Sequence, residues 1–304
     1  MEIHISLIIC SRNRGSQLQR TLETVEHQDF EAPWELIIVD NGSTDNTASV
    51  ISEFVNTAKC QVKTICEPKP GLSRARNRGL SLAKGEIVAF TDDDCYPEPD
   101  YLTAIDHCFR TQDVAFCGGR ILLFDPTDRR ITIQELNEEK VIAKNSCLSS
   151  GLIHGANMAF QKDAILAVQG FDERLGAGTY FKSGEDTDLL RRLSAEGLSG
   201  IYDPRIVVYH HHGRKTLEDE NKLRHGYWIG NGACMAKFCI NPQTRIVYLK
   251  DWYWRLRQRS LPQIFTELWA GTKFLVMIGL SKSAAMNHPR EALTSFSNND
   301  RNRP

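Results

Sequence analysis

The stretch GEIVAFTDDDCYPEPD, residues 85–100, decides how the chain is interpreted. The apolar run Ile87–Phe90 predicts a strand buried on both faces, and three adjacent carboxylates, Asp92, Asp93 and Asp94, follow it almost directly. Neighbouring like charges repel one another, so they need either solvent or a cation. The residues alone leave two interpretations open, a solvated acidic turn and a site for a divalent cation.

Strands and helices alternate along the first half of the chain. Apolar runs at 5–10, 36–39, 62–66 and 87–90 predict four strands, and helical spacing of apolar residues predicts a helix in each interval. The short connections predict an α/β fold with a mostly parallel, doubly wound sheet flanked by helices. Ligands bind at the carboxyl ends of the strands in such sheets, which is where Asp40 and the three adjacent aspartates fall.

The three aspartates are not expected to be equivalent. In an extended segment the side chains of residues i and i+2 point to the same side. We therefore expect Asp92 and Asp94 to face one site. Asp93 is expected to face elsewhere and to tolerate substitution best.

Three further polar clusters are candidates, and each has a structural alternative. Asp40, in DNGSTD, either binds a nucleotide or closes an Asx turn. Glu185 and Asp186, in GEDTDLLRR, provide either a proton acceptor or acids that the helix dipole stabilises. His210 and His212, in YHHHGR, are either metal ligands or part of a turn. No cysteine or second histidine lies at zinc spacing, so the acids favour a harder metal, Mn²⁺ or Mg²⁺.

The composition narrows the class of protein. The 304 residues carry a formal net charge of -1, which provides no basic excess for a nucleic-acid partner. No window of the sequence approaches the roughly 18 consecutive apolar residues of a membrane-spanning helix. The 9 scattered cysteines contain no CxxC pair, which is typical of reduced thiols, so we expect a cytoplasmic location.

The last part of the chain has helical spacing and many aromatic residues. We expect a catalytic domain at 1–215, a helical C-terminal extension at 216–296 and a disordered tail at 297–304. Residues 249–261 combine tryptophan and tyrosine with lysine and arginine. This composition leaves three interpretations open: packing on the catalytic domain, a homodimer contact, or peripheral contact with the inner face of a membrane.

The ordered set of motifs resembles that of the family 2 glycosyltransferases. The motifs are SLIICSRNR, IIVDNGSTDNT, PGLSRARNRGL, GEIVAFTDDDCYPEPDYL, GANMAF, GFDERLG, GEDTDLLRRL and VVYHHHGR. The resemblance implies the Rossmann-like GT-A fold and transfer of a sugar, with inversion, from a nucleotide-diphosphate sugar to an acceptor hydroxyl with Mn²⁺ or Mg²⁺. It implies a UDP-, GDP- or dTDP-linked donor. It also implies a glycan, lipid-linked or small-molecule acceptor in glycan, polysaccharide or glycolipid biosynthesis.

The resemblance also implies roles for individual residues. Asp186 matches the general base of the family, and Glu185 is the alternative for that role. Asp92 and Asp94 match the first and last residues of the DxD motif. The implied metal ligands are Asp94, Asp92, and His210 or His212. The implied donor-binding residues are Ser11, Arg12, Asp40, Arg76, Asn77, Asp92 and Asp93.

Two departures from the family pattern refine the expectation. The first loop reads Cys10–Arg14 where the family often has Pro-Thr-Tyr-Asn, which argues against base stacking from that loop. The Gln-x-x-Arg-Trp motif of processive synthases is absent, so we expect transfer of a single sugar. Two alternatives remain. A sugar-1-phosphate nucleotidyltransferase would need a glycine-rich basic loop after the first strand, and a non-catalytic sugar-nucleotide-binding module would need no base at Asp186.

Overall fold

Nine strands form one sheet within the part of the chain that the computed structural model describes, residues 2–148 and 150–286. The strands are β1 (Ile5–Ser11), β2 (Trp34–Asp40), β3 (Gln61–Cys66), β4 (Ile87–Asp92), β5 (Cys95–Pro97), β6 (Phe116–Leu123), β7 (Lys140–Ile142), β8 (Asn157–Gln161) and β9 (Gly200–His210). Their order across the sheet is β3-β2-β1-β4-β8-β6-β9-β5, and β7 pairs with β9.

Helices cover both faces of this sheet. They are α1 (Gly15–Val25), α2 (Thr47–Thr57), α3 (Leu72–Leu80), α4 (Tyr101–Thr111), α5 (Lys162–Ala167), α6 (Glu185–Ala195), α7 (Leu217–Ile240), α8 (Arg245–Leu256) and α9 (Leu261–Met286). Successive residues of β1 point to opposite faces, as the period of a strand requires. Leu7 and Ile9 belong to the apolar cluster that contains α1, α2 and α4, whereas Ile8 belongs to the cluster that contains α3 and α6. The predicted doubly wound arrangement is confirmed.

The sheet is parallel in its first half and mixed in its second. β1 pairs in parallel with β2 and with β4, and β2 pairs in parallel with β3. β8 runs antiparallel to both β4 and β6, and β9 is parallel to β6 but antiparallel to β5 and β7. Strand β8 overlaps the GANMAF segment, for which a motif but no strand was predicted. Four of the five residues of β8 are buried, but its apolar run, Met158–Phe160, is shorter than the continuous runs that indicate the other buried strands.

The backbone turns sharply inside the acidic stretch. β4 ends at Asp92, residues 93 and 94 form a turn, and the chain continues as β5, in which Cys95 pairs with His210 of β9. The expectation of an extended segment through Asp94 was therefore wrong. Pairing with β9 redirects the chain, and this long-range partner leaves no mark on the local sequence pattern.

The C-terminal helices pack on the rest of the molecule. Ile229 and Ala233 of α7 and Ala270 and Phe274 of α9 form one buried cluster with Phe181, which precedes α6. The expected boundary between the two domains falls in the loop before α7. Helix α7 nevertheless packs against Phe181, which belongs to the expected catalytic domain. No helix of residues 2–148 and 150–286 is long and apolar enough to cross a membrane. The predicted disordered tail, 297–304, lies outside the described residues.

Two glycines allow α7 to approach its neighbours closely. A Cβ atom on Gly232 would lie 2.1 Å from the carbonyl oxygen of Glu267 in α9, and one on Gly230 would lie 2.1 Å from Oγ of Ser183. Real side chains do not reach such distances, so both contacts require the absence of a side chain.

We expect Gly232→Ala to lower the free energy of unfolding by about 1–3 kcal/mol, because its methyl group overpacks the contact between α7 and α9. The matched control is Gly279→Ala in α9, whose Cβ would have no atom within 4 Å. That variant should gain about 0.5–1 kcal/mol from the lower entropy of its unfolded chain. Chemical denaturation measures both, and equal effects of the two substitutions would contradict the packing described here.

Candidate active site

A cleft of about 540 Å³ opens at the carboxyl ends of β1 and β4. Its walls come from β1, the turn after β4, the first turns of α3 and α6, the end of β9 and one face of α7. Position at the strand ends agrees with the general rule for ligand sites in such sheets. The acids that line it are Asp92, Asp93, Asp94, Glu185 and Asp186.

A buried arginine connects three of the walls. Arg76, only 2% exposed, donates from Nη1 to Oε1 of Glu185 at 3.0 Å and from Nη2 to Oδ1 of Asp92 at 3.0 Å. Nη2 also donates to the carbonyl oxygen of Gly155 at 3.1 Å, and the guanidinium lies 5.5 Å from the ring centroid of Phe171. The side chain of Arg76 therefore fixes α3, β4 and α6 relative to one another.

Gly155 contacts both Arg76 and Asp186, and the contact with Arg76 requires the absence of a side chain. A Cβ atom at this position would lie 2.7 Å from Nη2 of Arg76, so any side chain would displace the guanidinium. The Gly155 N–H donates to Oδ2 of Asp186 at 3.0 Å. Oδ1 of Asp186 accepts from the N–H of Thr187 at 2.6 Å and from its hydroxyl at 3.2 Å. The Asp186 carboxylate is thus oriented by the backbone, and Oδ2 has one protein donor.

Glu185 and Asp186 differ in environment although they are neighbours in sequence. Burial, together with the charge of Asp186, raises the pKa of Glu185 to about 7 against the lowering effect of Arg76. Glu185 is buried beneath the cleft surface, whereas Asp186 is partly exposed in it. Both candidate bases line the same cavity, but they differ in their access to a ligand.

The raised pKa of Glu185 predicts a pH-dependent stability. The folded state holds this proton more tightly than the unfolded chain, whose glutamate titrates near 4.5. Stability should therefore fall as pH rises between the two pKa values, by up to about 1.4 kcal/mol per pH unit. Glu185→Gln carries no such proton. As pH rises from about 5 to about 7, the melting temperature of Glu185→Gln should rise relative to that of the wild type. Parallel melting curves across this range would contradict the assignment.

Asp93 and Asp94 share Arg14 of the loop after β1 as a partner, and Asp93 also binds Ser11 of β1. Oδ2 of Asp93 accepts from the Ser11 hydroxyl at 2.6 Å, and Nε of Arg14 lies 3.3 Å from its Oδ1. Nη2 of Arg14 donates to Oδ2 of Asp94 at 2.5 Å. Burial raises the pKa of Asp93 to about 7, although Arg14 acts in the opposite direction. Asp93 is buried and lines the cleft, so the expectation that it faces away from the site was wrong.

Asp94 and His210 form the part of the site that fits a metal ion. Nε2 of His210 lies 3.3 Å from Oδ1 of Asp94, and both groups are buried. Burial disfavours both charged forms, but the attraction between the two groups outweighs this effect. The pKa of Asp94 is held well below its usual range, and that of His210 is raised.

The ligand atoms of Asp94, Cys95 and His210 lie within 4.8 Å of one another. Burial raises the pKa of the Cys95 thiol well above its usual value, which leaves a carboxylate and an imidazole as donors. The carboxylate suits Mn²⁺ or Mg²⁺ with phosphate oxygens and water as further ligands. Neutral imidazole is a common metal ligand.

The other two predicted metal ligands lie apart from this cluster. Asp92 points toward Arg76. Both ring nitrogens of His212 are occupied, since Nδ1 accepts from the Arg214 N–H at 3.0 Å and Nε2 lies 3.1 Å from the carbonyl oxygen of Arg129. The structure therefore brings together Asp94 and His210 but not Asp92 and His212.

Two of the predicted donor-binding residues are also absent from the lining of the cleft. Oδ1 of Asp40 accepts from the Ser43 N–H at 2.9 Å, which is the Asx turn left open by the sequence. Asn77 donates to the carbonyl oxygen of Phe171 at 2.9 Å, and its own Oδ1 accepts from the Phe171 N–H at 2.8 Å. The amide of Asn77 thus holds the loop after α5. Ser11, Arg12, Arg76, Asp92 and Asp93 do line the cleft.

Several residues that line the cleft were not predicted from the sequence. Arg14 lies in the predicted first loop, and its basic charge was the available signal. Lys182 and Arg214 come from loops, and Tyr227 and Asn231 come from α7. The α7 residues are separated from the family motifs and carry no motif of their own, so only the packing of α7 reveals them.

The cations of the cleft fall into two groups. Arg14 and Arg76 are paired with acids. Arg12, Lys182 and Arg214 also line the cleft, and the structure gives their side chains no ion pair with any described residue. A site with unpaired cations beside a carboxylate and a histidine is suited to a phosphate-bearing ligand.

Family models match most of this chain. The model described as glycosyl transferase family 2 matches residues 6–167, and the model described as glycosyl transferase family group 2 matches residues 87–290. The chain belongs to glycosyl transferase family 2. The first match contains β1 to β4 and the acidic turn, and the second continues through α7 and α8 into α9. The family expected from the motifs is confirmed, and with it the glycosyltransferase class.

Curated relatives of this family 2 chain differ in length. A glucosyl-dolichyl phosphate glucuronosyltransferase of Haloferax volcanii is 25% identical over 264 residues, which are 81% of this chain and 82% of that protein. A pre-mycofactocin glycosyltransferase of Mycobacterium tuberculosis is 29% identical over 76% of this chain. The chain spans 47% of the mycobacterial protein and 39% of a Nostoc glycosyltransferase that is 35% identical over 130 residues.

Solved structures share the fold. A mannosyltransferase of Pyrobaculum calidifontis, in complex with GDP-Man and Mn²⁺, has a TM-score of 0.61 and 19% identity, over 94% of this chain and 81% of that one. Staphylococcus aureus TarS, residues 1-349, has a TM-score of 0.60 and 16% identity, over 81% of this chain and 68% of that one. These likenesses confirm the expected GT-A fold.

Proposed function

We propose that this protein is an inverting glycosyltransferase that moves a single sugar from a nucleotide-diphosphate sugar to an acceptor hydroxyl. The observation that carries the proposal is the cleft itself. It combines an oriented carboxylate, a pair of residues that suits a divalent cation and three unpaired cations at the strand ends of a family 2 domain. Single transfer is favoured because the sequence lacks the Gln-x-x-Arg-Trp motif of processive synthases.

The donor is a UDP-, GDP- or dTDP-linked sugar. Support comes from the neighbours, since the mannosyltransferase is in complex with GDP-Man and one TarS structure is in complex with UDP-GlcNAc. In this chain Arg12, Lys182 and Arg214 line the cleft and offer positive charge to the diphosphate, because none of them forms an ion pair with a described residue. A lipid-linked acceptor is the class we favour, since the relative that matches along most of its length is named for a dolichyl phosphate substrate.

Asp186 is the general base in this proposal. Its Oδ2 accepts the proton of the acceptor hydroxyl while the acceptor oxygen forms a bond to the anomeric carbon. The bond between that carbon and the diphosphate oxygen breaks on the opposite side, which inverts the configuration. The backbone bonds of Gly155 and Thr187 hold the carboxylate in one orientation before the acceptor arrives. Glu185 helps to hold this arrangement, because it binds Arg76, which also donates to the carbonyl oxygen of Gly155.

Asp94 and His210 would hold the divalent cation, Mn²⁺ or Mg²⁺. When bound, such a cation offsets the negative charge that develops on the leaving nucleoside diphosphate. Residues around Asp94 keep its carboxylate charged and ordered without a bound ion. Arg14 and His210 keep Asp94 ionised, and the Ser11 hydroxyl and Arg14 hold the neighbouring Asp93.

We expect Asp186→Asn to lower kcat about 100- to 10,000-fold, because the amide cannot accept the proton of the acceptor. Transfer is measured with UDP-, GDP- and dTDP-linked sugars, and donor binding is measured separately by thermal shift. Donor binding should be retained, since Asp186 is assigned no contact with the nucleotide.

Glu185→Gln is the matched control for the base, because it changes the adjacent carboxylate to an amide in the same way. It should reduce transfer far less than Asp186→Asn. If Glu185→Gln abolishes transfer and Asp186→Asn retains it, Glu185 is the base. If no nucleotide sugar shifts the melting temperature of the wild type, the proposed function itself fails.

The metal assignment predicts a difference between Asp94 and Asp92. With a nucleoside diphosphate present, Mn²⁺ at about 100 times its Kd should stabilise the wild type by about 2.7 kcal/mol. Asp94→Asn and His210→Ala should remove most of this increment, whereas Asp92→Asn should keep it, since Asp92 lies outside the cluster. Each variant is compared with its own melting temperature without Mn²⁺. Loss of the increment in Asp92→Asn alone would refute the assignment.

A further inference from the structure

The outward face of α9 is apolar. Its exposed side chains recur at spacings that place them on one stripe of the helix. Their exposed fractions range from 42% to 70%, which is unusual for large apolar side chains in such number. The apolar members of this stripe are Leu261, Phe265, Leu268, Trp269, Val276 and Leu280.

The opposite face of α9 is already buried. Glu267, Ala270, Gly271 and Phe274, at spacings of three, one and three, pack against α7 and its neighbours. A helix that is apolar on every side is normally covered on every side. The described residues cover only the inner face of α9, so its outer stripe is available to a partner.

The outer face of α8 carries exposed aromatic side chains with a cation beside them. Tyr253 and Trp254 are exposed and lie edge to face, and the Arg257 guanidinium lies 5.7 Å and 5.4 Å from their ring centroids. On α9, Nζ of Lys273 lies 5.0 Å from the ring centroid of Trp269. Aromatic rings beside exposed cations are the chemistry of helices that lie at the surface of an anionic bilayer.

We propose that the outer faces of α8 and α9 form a docking surface for an anionic phospholipid bilayer. The docking surface consists of the exposed side chains of residues 245–280. The apolar side chains enter the headgroup region and the cations bind lipid phosphates, and none of the helices in residues 2–148 and 150–286 crosses the membrane.

Charge separates a bilayer from a second copy of the chain as the occupant. Residues 245–280 contain six lysines and arginines and two acids. Both acids are neutralised within the protein, Asp251 by Arg255 and the buried Glu267 by Arg259. Two such surfaces facing each other would bring cation against cation, whereas an anionic bilayer complements them.

The docking surface reaches the loop that lines the cleft. Tyr180 accepts from Nζ of Lys273 at 2.6 Å, and its ring lies 6.0 Å from that of Trp269. Ala177, Gly178 and Lys182 of the same loop line the cleft. Docking therefore places one wall of the cleft beside the lipid surface. Access to a lipid-linked acceptor is the consequence that rests on the proposed function, whereas docking itself does not.

Vesicle sedimentation tests the proposal on the full chain. Wild-type protein should pellet with vesicles of phosphatidylcholine mixed with phosphatidylglycerol, more weakly with phosphatidylcholine alone, and less at high salt. Lys250→Glu with Arg257→Glu should lower the partition coefficient on the mixed vesicles about 25-fold or more, since each cation near such a surface contributes about fivefold. Leu261→Ser with Phe265→Ser should lower partition on both kinds of vesicle.

The control variants change exposed residues outside the docking surface. Lys59→Glu with Lys84→Glu reverses two exposed cations, and Val55→Ser with Val141→Ser removes two exposed apolar side chains. Both control variants should sediment as the wild type does.

Two results would overturn the proposal. One is a wild type that does not sediment with anionic vesicles. The other is sedimentation velocity that shows a dimer which the Leu261→Ser, Phe265→Ser variant dissociates, because a second copy would then cover the stripe. Sedimentation needs no sugar transfer, so failure of docking and failure of the proposed function are read separately.

Discussion

The rest of the site depends on one buried ion-pair network, in which Arg76 binds Asp92, Glu185 and the carbonyl oxygen of Gly155. Desolvating an arginine is costly, and the network offsets that cost only while every partner is present. Removal of one partner from such a pair typically costs about 3–5 kcal/mol. Because the partners come from α6, β4 and the loop before β8, this arginine converts separate elements into one cleft. Arg76 also offsets the charge of Glu185, the carboxylate adjacent to Asp186.

The repulsion among the adjacent aspartates is offset by the cations and hydrogen-bond donors that surround them. Asp92 binds Arg76, Asp93 binds Ser11 and Arg14, and Asp94 binds Arg14 and His210. Local neutralisation of the acids leaves other cations of the cleft free for an anionic ligand. The nucleotide-diphosphate sugar that we propose as the donor carries the complementary charge. Helix α7 lines one side of the cleft and packs against α9, which carries part of the proposed docking surface.

The sequence by itself determined the parallel half of the sheet and the position of the acidic stretch at its edge. Buried strands such as β1 and β2 are continuous apolar runs, and alternation with helices fixes their connection, so local periodicity is sufficient. The order of short polar motifs was also sufficient for the family. The sequence placed Asp186, Glu185 and Arg76 among the site residues without any knowledge of their contacts.

Only the tertiary structure decided which of these residues meet. Asn77 and His212 belong to matching motifs, yet their polar atoms are used by neighbouring backbone groups. Arg14 and Tyr227 have no distinctive motif, yet they line the cleft. The turn at residues 93 and 94 exists because Cys95 pairs with β9, more than a hundred residues away along the chain. Local patterns report burial and periodicity, whereas the partner of a polar side chain is chosen by packing between distant segments.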